Sequence, residues 1–349
     1  MIKPTDDCNL RCIYCYHADY RYSNEVMSLS TFRSLLEKTI GYCDHLHLIW
    51  HGGEPLLVGS TFYREIIEIE NEYSSRIKIT NSIQSNGTLL NQEFASILYS
   101  AGFQIGFSFD GTTNDVTRGN TDLTLRGINI ARLNNQRISI IKVMLKEDLD
   151  NIRSIYSYFK SMNADVKMNP LFRCELVSDG MLYNASQYVA AMRELFCEWI
   201  CDDACSIRVD PLETYIALLT GKGNRDCSHG SCLTKFLSIN HNGEVYPCSR
   251  YFPPDFSFGN ISNIGSISDV FSSSGFIKIV SSAIERRKSC SEQCDYFQYC
   301  QGGCNHDAFI EGSIEETGFF SCLVFKGLFG YILDYFSSID YHEIVNKRA

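Results

Sequence analysis

Cys8, Cys12 and Cys15 stand in the run Cys8-Asn9-Leu10-Arg11-Cys12-Ile13-Tyr14-Cys15. Three thiolates on one tight loop can hold three irons of a [4Fe–4S] cube, which leaves the fourth iron free to bind an exchangeable molecule. Two further groups, Cys227/Cys232/Cys248 and Cys290/Cys294/Cys300/Cys304/Cys322, bring eleven of the sixteen cysteines into spacings that suit such clusters. The eight thiols of these later groups suffice for two complete cubes. A zinc site or a disulfide framework is the competing reading. It is weakened by the surroundings of the first loop: Tyr14 within it, Gly52-Gly53-Glu54-Pro55 after the next apolar run, and Gln84-Ser85-Asn86-Gly87 closing the one after that.

Elements must carry these residues to one place. Up to about residue 172, short β-branched runs alternate with longer helical patterns, the appearance of βα units stacked around a parallel sheet. The pattern predicts strands at Met1–Pro4, His45–His51, Ile77–Ser85, Phe103–Asp110, Arg137–Leu145 and Asp165–Phe172. It predicts helices at Ser30–Tyr42, Thr61–Tyr73, Asn91–Ala101, Leu123–Asn134 and Asn151–Met162, with Ser30 and Asn91 as N-caps. The candidate site residues follow strands one after another. The carboxyl ends of strands are where parallel α/β architectures bind ligands, so the motifs converge on one mouth. Beyond residue 173 a helical connection is expected, with helices at Ser186–Cys201 and Pro211–Leu219. Cys197, Cys201 and Cys205, four apart, share a helical face if that helix continues past Asp202-Asp203; with Cys43 and Cys174 they are expected to be packed or exposed thiols rather than ligands.

The formal charge of −10 over 349 residues, with no lysine- or arginine-rich run, argues against nucleic acid and against an anionic membrane. Only seven residues precede Cys8 and none form an export segment, so a reducing cytoplasm is expected, where many thiols are metal ligands or buried apolar groups. Leu323 to Ile332 is too short to span a bilayer and contains Lys326, which favours a buried or amphipathic terminal helix.

With Trp50-His51-Gly52-Gly53-Glu54-Pro55, Gln84-Ser85-Asn86-Gly87-Thr88-Leu89-Leu90 and Ser108-Phe109-Asp110-Gly111 added to the cysteine loop, the first half resembles the radical S-adenosylmethionine (SAM) superfamily in its peptide-modifying branch. The resemblance implies a partial, TIM-like (β/α)6 barrel over residues 1–195, with Cys8, Cys12 and Cys15 on the SAM-binding cluster. It implies that Gly52, Gly53 and Glu54 meet the SAM amino group, that Ser85, Asn86 and Ser108 lie near its ribose and methionyl part, that Arg118 meets its carboxylate, and that Tyr14 flanks the adenine. Physically, a backbone bearing two glycines can approach a ligand closely, and an arginine fork suits a carboxylate.

After a helical connection at 196–224, residues 225–325 resemble a SPASM domain, on Gly243 ahead of Cys248 and on Tyr299-Cys300-Gln301-Gly302-Gly303-Cys304, with a C-terminal helix and tail at 326–349. Carried over, one auxiliary [4Fe–4S] cluster takes Cys227, Cys232, Cys248 and Cys304 and the other takes Cys290, Cys294, Cys300 and Cys322, for three clusters in all. Such interleaved sets make metal binding supply folding free energy to a segment expected to have little apolar core. Cys290 and Cys294 enclose three residues where two are typical.

The reaction implied is SAM cleavage to a 5′-deoxyadenosyl radical that abstracts hydrogen from an unactivated carbon, with a second electron leaving through the auxiliary clusters. The first expectation is a maturase that cross-links a ribosomally made precursor peptide, carbon–carbon at an aromatic ring or as a thioether. The alternative is an anaerobic sulfatase-maturating enzyme that forms formylglycine. In that family an aspartate serving as base follows the cysteine equivalent to Cys248; here Ser249 stands there, with Asp110 and Asp255 as other acids. From a different class, a zinc-binding or electron-carrying module would have no need of the open three-cysteine loop. Expected partners are the precursor peptide, a flavodoxin- or ferredoxin-type electron donor and, for leader recognition, the barrel rim, the SPASM module or a separate protein. Tyr20, Tyr22, Tyr183, Tyr251 and Phe252 are candidate aromatic contacts.

Overall fold

The computed structural model describes residues 1–17, 24–223, 227–229, 232–250 and 253–338. Six parallel strands form one sheet in chain order: β1 (His45–Trp50), β2 (Lys78–Ser85), β3 (Gln104–Ser108), β4 (Ile138–Met144), β5 (Ala164–Pro170) and β6 (Val209–Asp210). Helices α1 (Leu29–Thr39), α2 (Ser60–Tyr73), α3 (Gln92–Ser100), α4 (Asn114–Thr117), α5 (Thr121–Leu133), α6 (Lys146–Leu149), α7 (Ile152–Ser161), α8 (Ala185–Ile200) and α9 (Leu212–Leu219) alternate with them. Sequential parallel pairing with helical crossovers is the expected βα architecture.

Three local expectations are corrected. Met1–Pro4 is not a strand: Ile2 alone bridges Trp50 and Ile239, and the sixth strand is the two-residue β6, too short to show a period-2 pattern. The N-cap of α1 is Ser28, whose side chain accepts from Thr31 N, rather than Ser30; Asn91 caps α3 as predicted. Helix α8 ends at Ile200, so Cys205 lies beyond it and the three cysteines do not share one helical face.

The chain divides into two compact units. One comprises Met1–Ile141, Cys174–Leu176 and Leu233–Val280. Its core is aromatic: Trp50 is fully buried against Phe32, Phe62 and Tyr63, and Tyr63 meets Phe94 and Phe103 edge to face. This unit also holds the hairpin of β7 (Ser238–Ile239) and β8 (Val245–Tyr246). Val245, Phe258, Ile261, Val270 and Ile279 are buried, so the stretch from 238 to 280 adds apolar side chains to the core of the first unit, against the expectation for the whole of 225–322.

The other unit comprises Lys142–Arg173, Val177–Cys232 and residues from Ser281 onward. Within it α8 packs on the long helix α13 (Phe320–Ser338), where Phe196 meets the Tyr331 and Tyr335 rings edge to face and Val189 lies against Gly327, while Phe325 and Phe329 meet Tyr215 of α9. Helix α10 (Ser274–Gln293) runs across the division, and the short helices α11 (Phe297–Cys300) and α12 (Asn305–Glu311) follow it. Among the described residues, no helix is long and apolar enough to cross a membrane.

Candidate active site

The cysteine loop lies in the first unit and is laced to the carboxyl ends of β1, β2 and β3. Gly53 N donates to Thr5 O at 3.1 Å and Glu54 N to Asp7 O at 2.8 Å. A Cβ on Gly53 would sit 2.0 Å from Asp7 O, so only glycine lets this turn close on the segment entering Cys8. The Glu54 side chain is buried and points to β2, accepting from Ser85 Oγ (2.7 Å), Asn86 N (2.8 Å) and Leu56 N (3.0 Å). Burial pushes its carboxyl up to about 7, opposed by those three donors. Asn86 completes the lacing: its Nδ2 donates to Asn9 Oδ1 at 2.9 Å and lies 3.9 Å from Cys8 Sγ, while Asn9 Nδ2 donates to Thr88 Oγ1 at 2.8 Å.

From β3 comes a second support. Buried Asp110 accepts from the Tyr14 hydroxyl, from Thr117 Oγ1 (2.7 Å) and from Arg118 Nε (3.1 Å). The Arg118 guanidinium stands 5.3 Å from the Tyr14 ring centre, with Nη1 3.9 Å from Cys12 Sγ. Burial works against its charge, but Asp110, Tyr14 and Cys12 outweigh that and raise its pKa. Ser108 Oγ accepts from Gln84 Nε2 at 2.9 Å.

Cys12 is buried and Cys8 and Cys15 are half-buried. Burial pushes the Cys8 thiol up to about 11; the Leu10 amide opposes this, and Glu54, Cys12 and Cys15 add to it. Three mutually repelling thiols on a sheltered loop suit a cationic iron core that stabilises their thiolate forms. Tyr16 joins the neighbourhood. Its hydroxyl is raised well above the ordinary range, first by burial and then by Cys248 and Cys15, and it shares a hydrogen bond with Ser249.

In the second unit, Cys290, Cys294, Cys300 and Cys322 all line one cavity of about 80 Å³, together with Gly302, Gly303, Phe325 and Lys326. That donor set fits a fully ligated cube. Burial raises Cys290 and Cys300, with their neighbouring thiols adding to the shift. Cys227, Cys232 and Cys304 belong to this unit and Cys248 to the other. Among the described residues, no three His, Cys, Asp or Glu gather as ligands of one metal ion; a cube, held at separate irons, spreads its thiols further apart. A larger cavity of about 1190 Å³, lined by Asp44, Glu70, Arg76, Lys78 and Ser100, lies toward the opposite ends of the strands and contains no cysteine.

A family model for the radical SAM superfamily matches residues 2–159, and one for the SPASM iron-sulfur cluster-binding domain matches residues 227–304. The chain is a radical SAM enzyme with a SPASM domain. It is 27% identical to a cysteine-type anaerobic sulfatase-maturating enzyme of Clostridium novyi, over 88% of this chain and 87% of that one. Its fold is similar to that of native anSMEcpe solved with bound AdoMet and a Cp18Cys peptide (TM-score 0.86, 22% identity, 97% of both chains). It is also similar to Streptococcus suis SuiB bound to the precursor peptide SuiA (TM-score 0.66, 16% identity, 93% of this chain and 74% of that one).

Several residues of this radical SAM enzyme escaped the sequence reading. Asp110 reads in the sequence as an alternative acid within Ser108-Phe109-Asp110-Gly111, but its role of holding Tyr14, Thr117 and Arg118 rests on contacts that no motif marks. Asn9 and Thr88 sat unremarked inside motifs already noted. Of the aromatic candidates, Tyr183 is a packing residue: its hydroxyl donates to Met144 O and accepts from Leu171 N, both at 3.0 Å, and its ring stacks on Tyr188. Tyr20, Tyr22, Tyr251 and Phe252 lie outside the described residues. Cys197 and Cys201 are exposed, and Cys197 Sγ lies 2.9 Å from the Tyr331 hydroxyl. Cys174 Sγ donates to Tyr14 O at 3.6 Å.

Proposed function

We propose that this enzyme oxidises a side chain of a polypeptide substrate, and that the oxidation is formylglycine formation at a cysteine or serine. The observation that supports an oxidation is the pairing of an open set of three thiols, Cys8, Cys12 and Cys15, with a separate cavity lined by four, Cys290, Cys294, Cys300 and Cys322. With iron and SAM bound, the open set would supply the 5′-deoxyadenosyl radical and the closed set would take the second electron. For each substrate oxidised, one hydrogen atom leaves to the deoxyadenosyl group, one proton to a base and one electron to an auxiliary cluster. A serine becomes the aldehyde directly, whereas the thioaldehyde formed from a cysteine then takes up water and releases hydrogen sulfide. The similarity to sulfatase-maturating enzymes along most of the chain favours formylglycine as the product.

The chain's own residues would act by placement. Gly52, Gly53 and Glu54 offer backbone carbonyls to the SAM ammonium, while the Glu54 carboxylate holds Ser85 and Asn86 in position. Asp110 orients Arg118 toward the loop and fixes the Tyr14 ring beside it. The second auxiliary set, Cys227, Cys232, Cys248 and Cys304, and hence a total of three clusters, rests on the SPASM resemblance. An external one-electron donor is required in either case.

One observation favours a second reading, peptide cross-linking. Ser249 shares its hydrogen bond with Tyr16, and neither hydroxyl is a base near neutral pH. Asp110 is engaged by three donors, and Asp255 is exposed and paired with Lys278, so neither offers a free carboxylate in its place. The deciding experiment incubates anaerobically reconstituted protein with SAM, reductant and either a sulfatase-derived peptide or a small precursor peptide encoded beside the gene. A hydrazide-trapped aldehyde on the sulfatase peptide is the expected result. A precursor that loses two hydrogens without an aldehyde establishes the second reading, and failure to release 5′-deoxyadenosine rejects both.

A further inference from the structure

Arg286, on α10, is only 1% exposed, yet the three acceptors of its guanidinium are all neutral: Gly302 O at 2.9 Å from Nε, Asn305 Oδ1 at 2.5 Å from Nη2, and Ile314 O from Nη1. A buried cation held only by neutral dipoles is costly unless negative charge stands nearby. The inferred cluster ligands that act on it most are Cys304, Cys290 and Cys232, in that order, whose sulfurs would carry negative charge once iron is bound. The first and third belong to one inferred ligand set and the second to the other.

The same side chain also holds the turn that joins the two sets. Gln301, Gly302 and Gly303, between Cys300 and Cys304, have φ of 52°, 97° and 72°, a run of left-handed residues that turns the Gly302 carbonyl onto Arg286. Asn305, which follows Cys304, accepts from Arg286 and sends its Nδ2 to within 3.9 Å of Cys232 Sγ. The Phe319 ring covers the guanidinium at 5.7 Å.

We propose that Arg286 is the shared counter-cation of both auxiliary clusters, a positioning residue that clamps the Cys300–Cys304 turn and raises the reduction potential of each cluster. The inference rests on the two-auxiliary-cluster reading above. Positive charge beside a thiolate-ligated cube favours its more negative, reduced form, so one buried arginine makes both clusters better acceptors for the electron the substrate must lose.

The test uses the full chain with Cys8, Cys12 and Cys15 changed to alanine, loaded anaerobically with iron and sulfide, so that only auxiliary sites titrate. Midpoint potentials are followed by electron paramagnetic resonance in this parent and in R286K, R286M and R286Q. The neutral variants are expected to shift the reduction equilibrium of both signals at least tenfold toward the oxidised form, about 59 mV for a one-electron couple. R286K should stay near the parent. Neutral variants that refuse iron while R286K accepts it support the same role, read as assembly. A parent without two cubes overturns the underlying cluster assignment. Two cubes in the parent with unshifted neutral variants, a shift in one signal only, or failure of R286K along with the others overturns the role of Arg286 alone.

Discussion

The two best-defined cysteine regions of this enzyme are held together in different ways. Around Cys8–Cys15 the polypeptide supports itself, with amides of Gly53 and Glu54, the carboxylates of Glu54 and Asp110 and the amides of Asn9 and Asn86 all partnered within the first unit. Around Cys290–Cys322 four thiols line a small cavity, and the large buried polar group beside them is an arginine that meets only neutral acceptors. The first arrangement keeps its shape while a ligand comes and goes, which an open cluster requires. The second leaves charge for a permanently bound metal to balance, so there metal binding and folding are one process.

The contrast can be broken most decisively at the thiols. Changing Cys8, Cys12 and Cys15 together to alanine should lower 5′-deoxyadenosine release about a thousandfold or more, while the melting temperature of the first unit barely moves. A collapse of that unit would show that its hydrogen bonds do not suffice. Iron removal tests the other side. Chelation should strip hydrogen-exchange protection from residues 281–322 and leave 238–280 protected, because buried Val245, Phe258, Ile261 and Val270 hold that stretch without metal. Equal loss in both would erase the distinction.

Smaller effects sharpen it. D110N should cost about 3 kcal/mol in denaturant unfolding, since it leaves the buried Arg118 charge without its partner, and should weaken SAM binding in an equilibrium assay. Glu54 sets a pH dependence. Its carboxyl titrates at about 7 in the folded protein against an ordinary 4.5, so the native state holds the proton more tightly. The resulting stabilisation is complete below about pH 4.5 and is lost as pH rises through 7, an amplitude of about 3 kcal/mol. Melting curves between pH 4 and 8 should show this slope in the parent and lose it in E54Q.

Much of the site was legible because its chemistry depends on spacing. The paired glycines and the Ser85-Asn86-Gly87 turn each follow a strand, and the three cysteines follow the single Ile2 bridge to β1, so the order of these segments places them at one mouth. What was not legible were the interactions made across long separations. Nothing in the sequence marks Arg286 as buried: it stands in Glu285-Arg286-Arg287-Lys288, where Glu285 and Lys288 are exposed and Arg287 is half-buried. Likewise Tyr183 looked like a ligand contact until its hydroxyl proved to bridge Met144 and Leu171.

Residue types and intervals alone determined the radical SAM loop, the βα alternation that carries it and the cysteine count of the SPASM region, because cluster ligation and strand-end turns are short-range requirements written in consecutive residues. Only the tertiary structure decided which carboxylates are free to act and which hold the frame. Glu54 and Asp110 serve the frame because donors tens of residues away in the chain, or around the loop, close on them once the sheet is assembled. Burial does the same for Arg286, where folding turns a surface-looking charge into one that thiolates must balance.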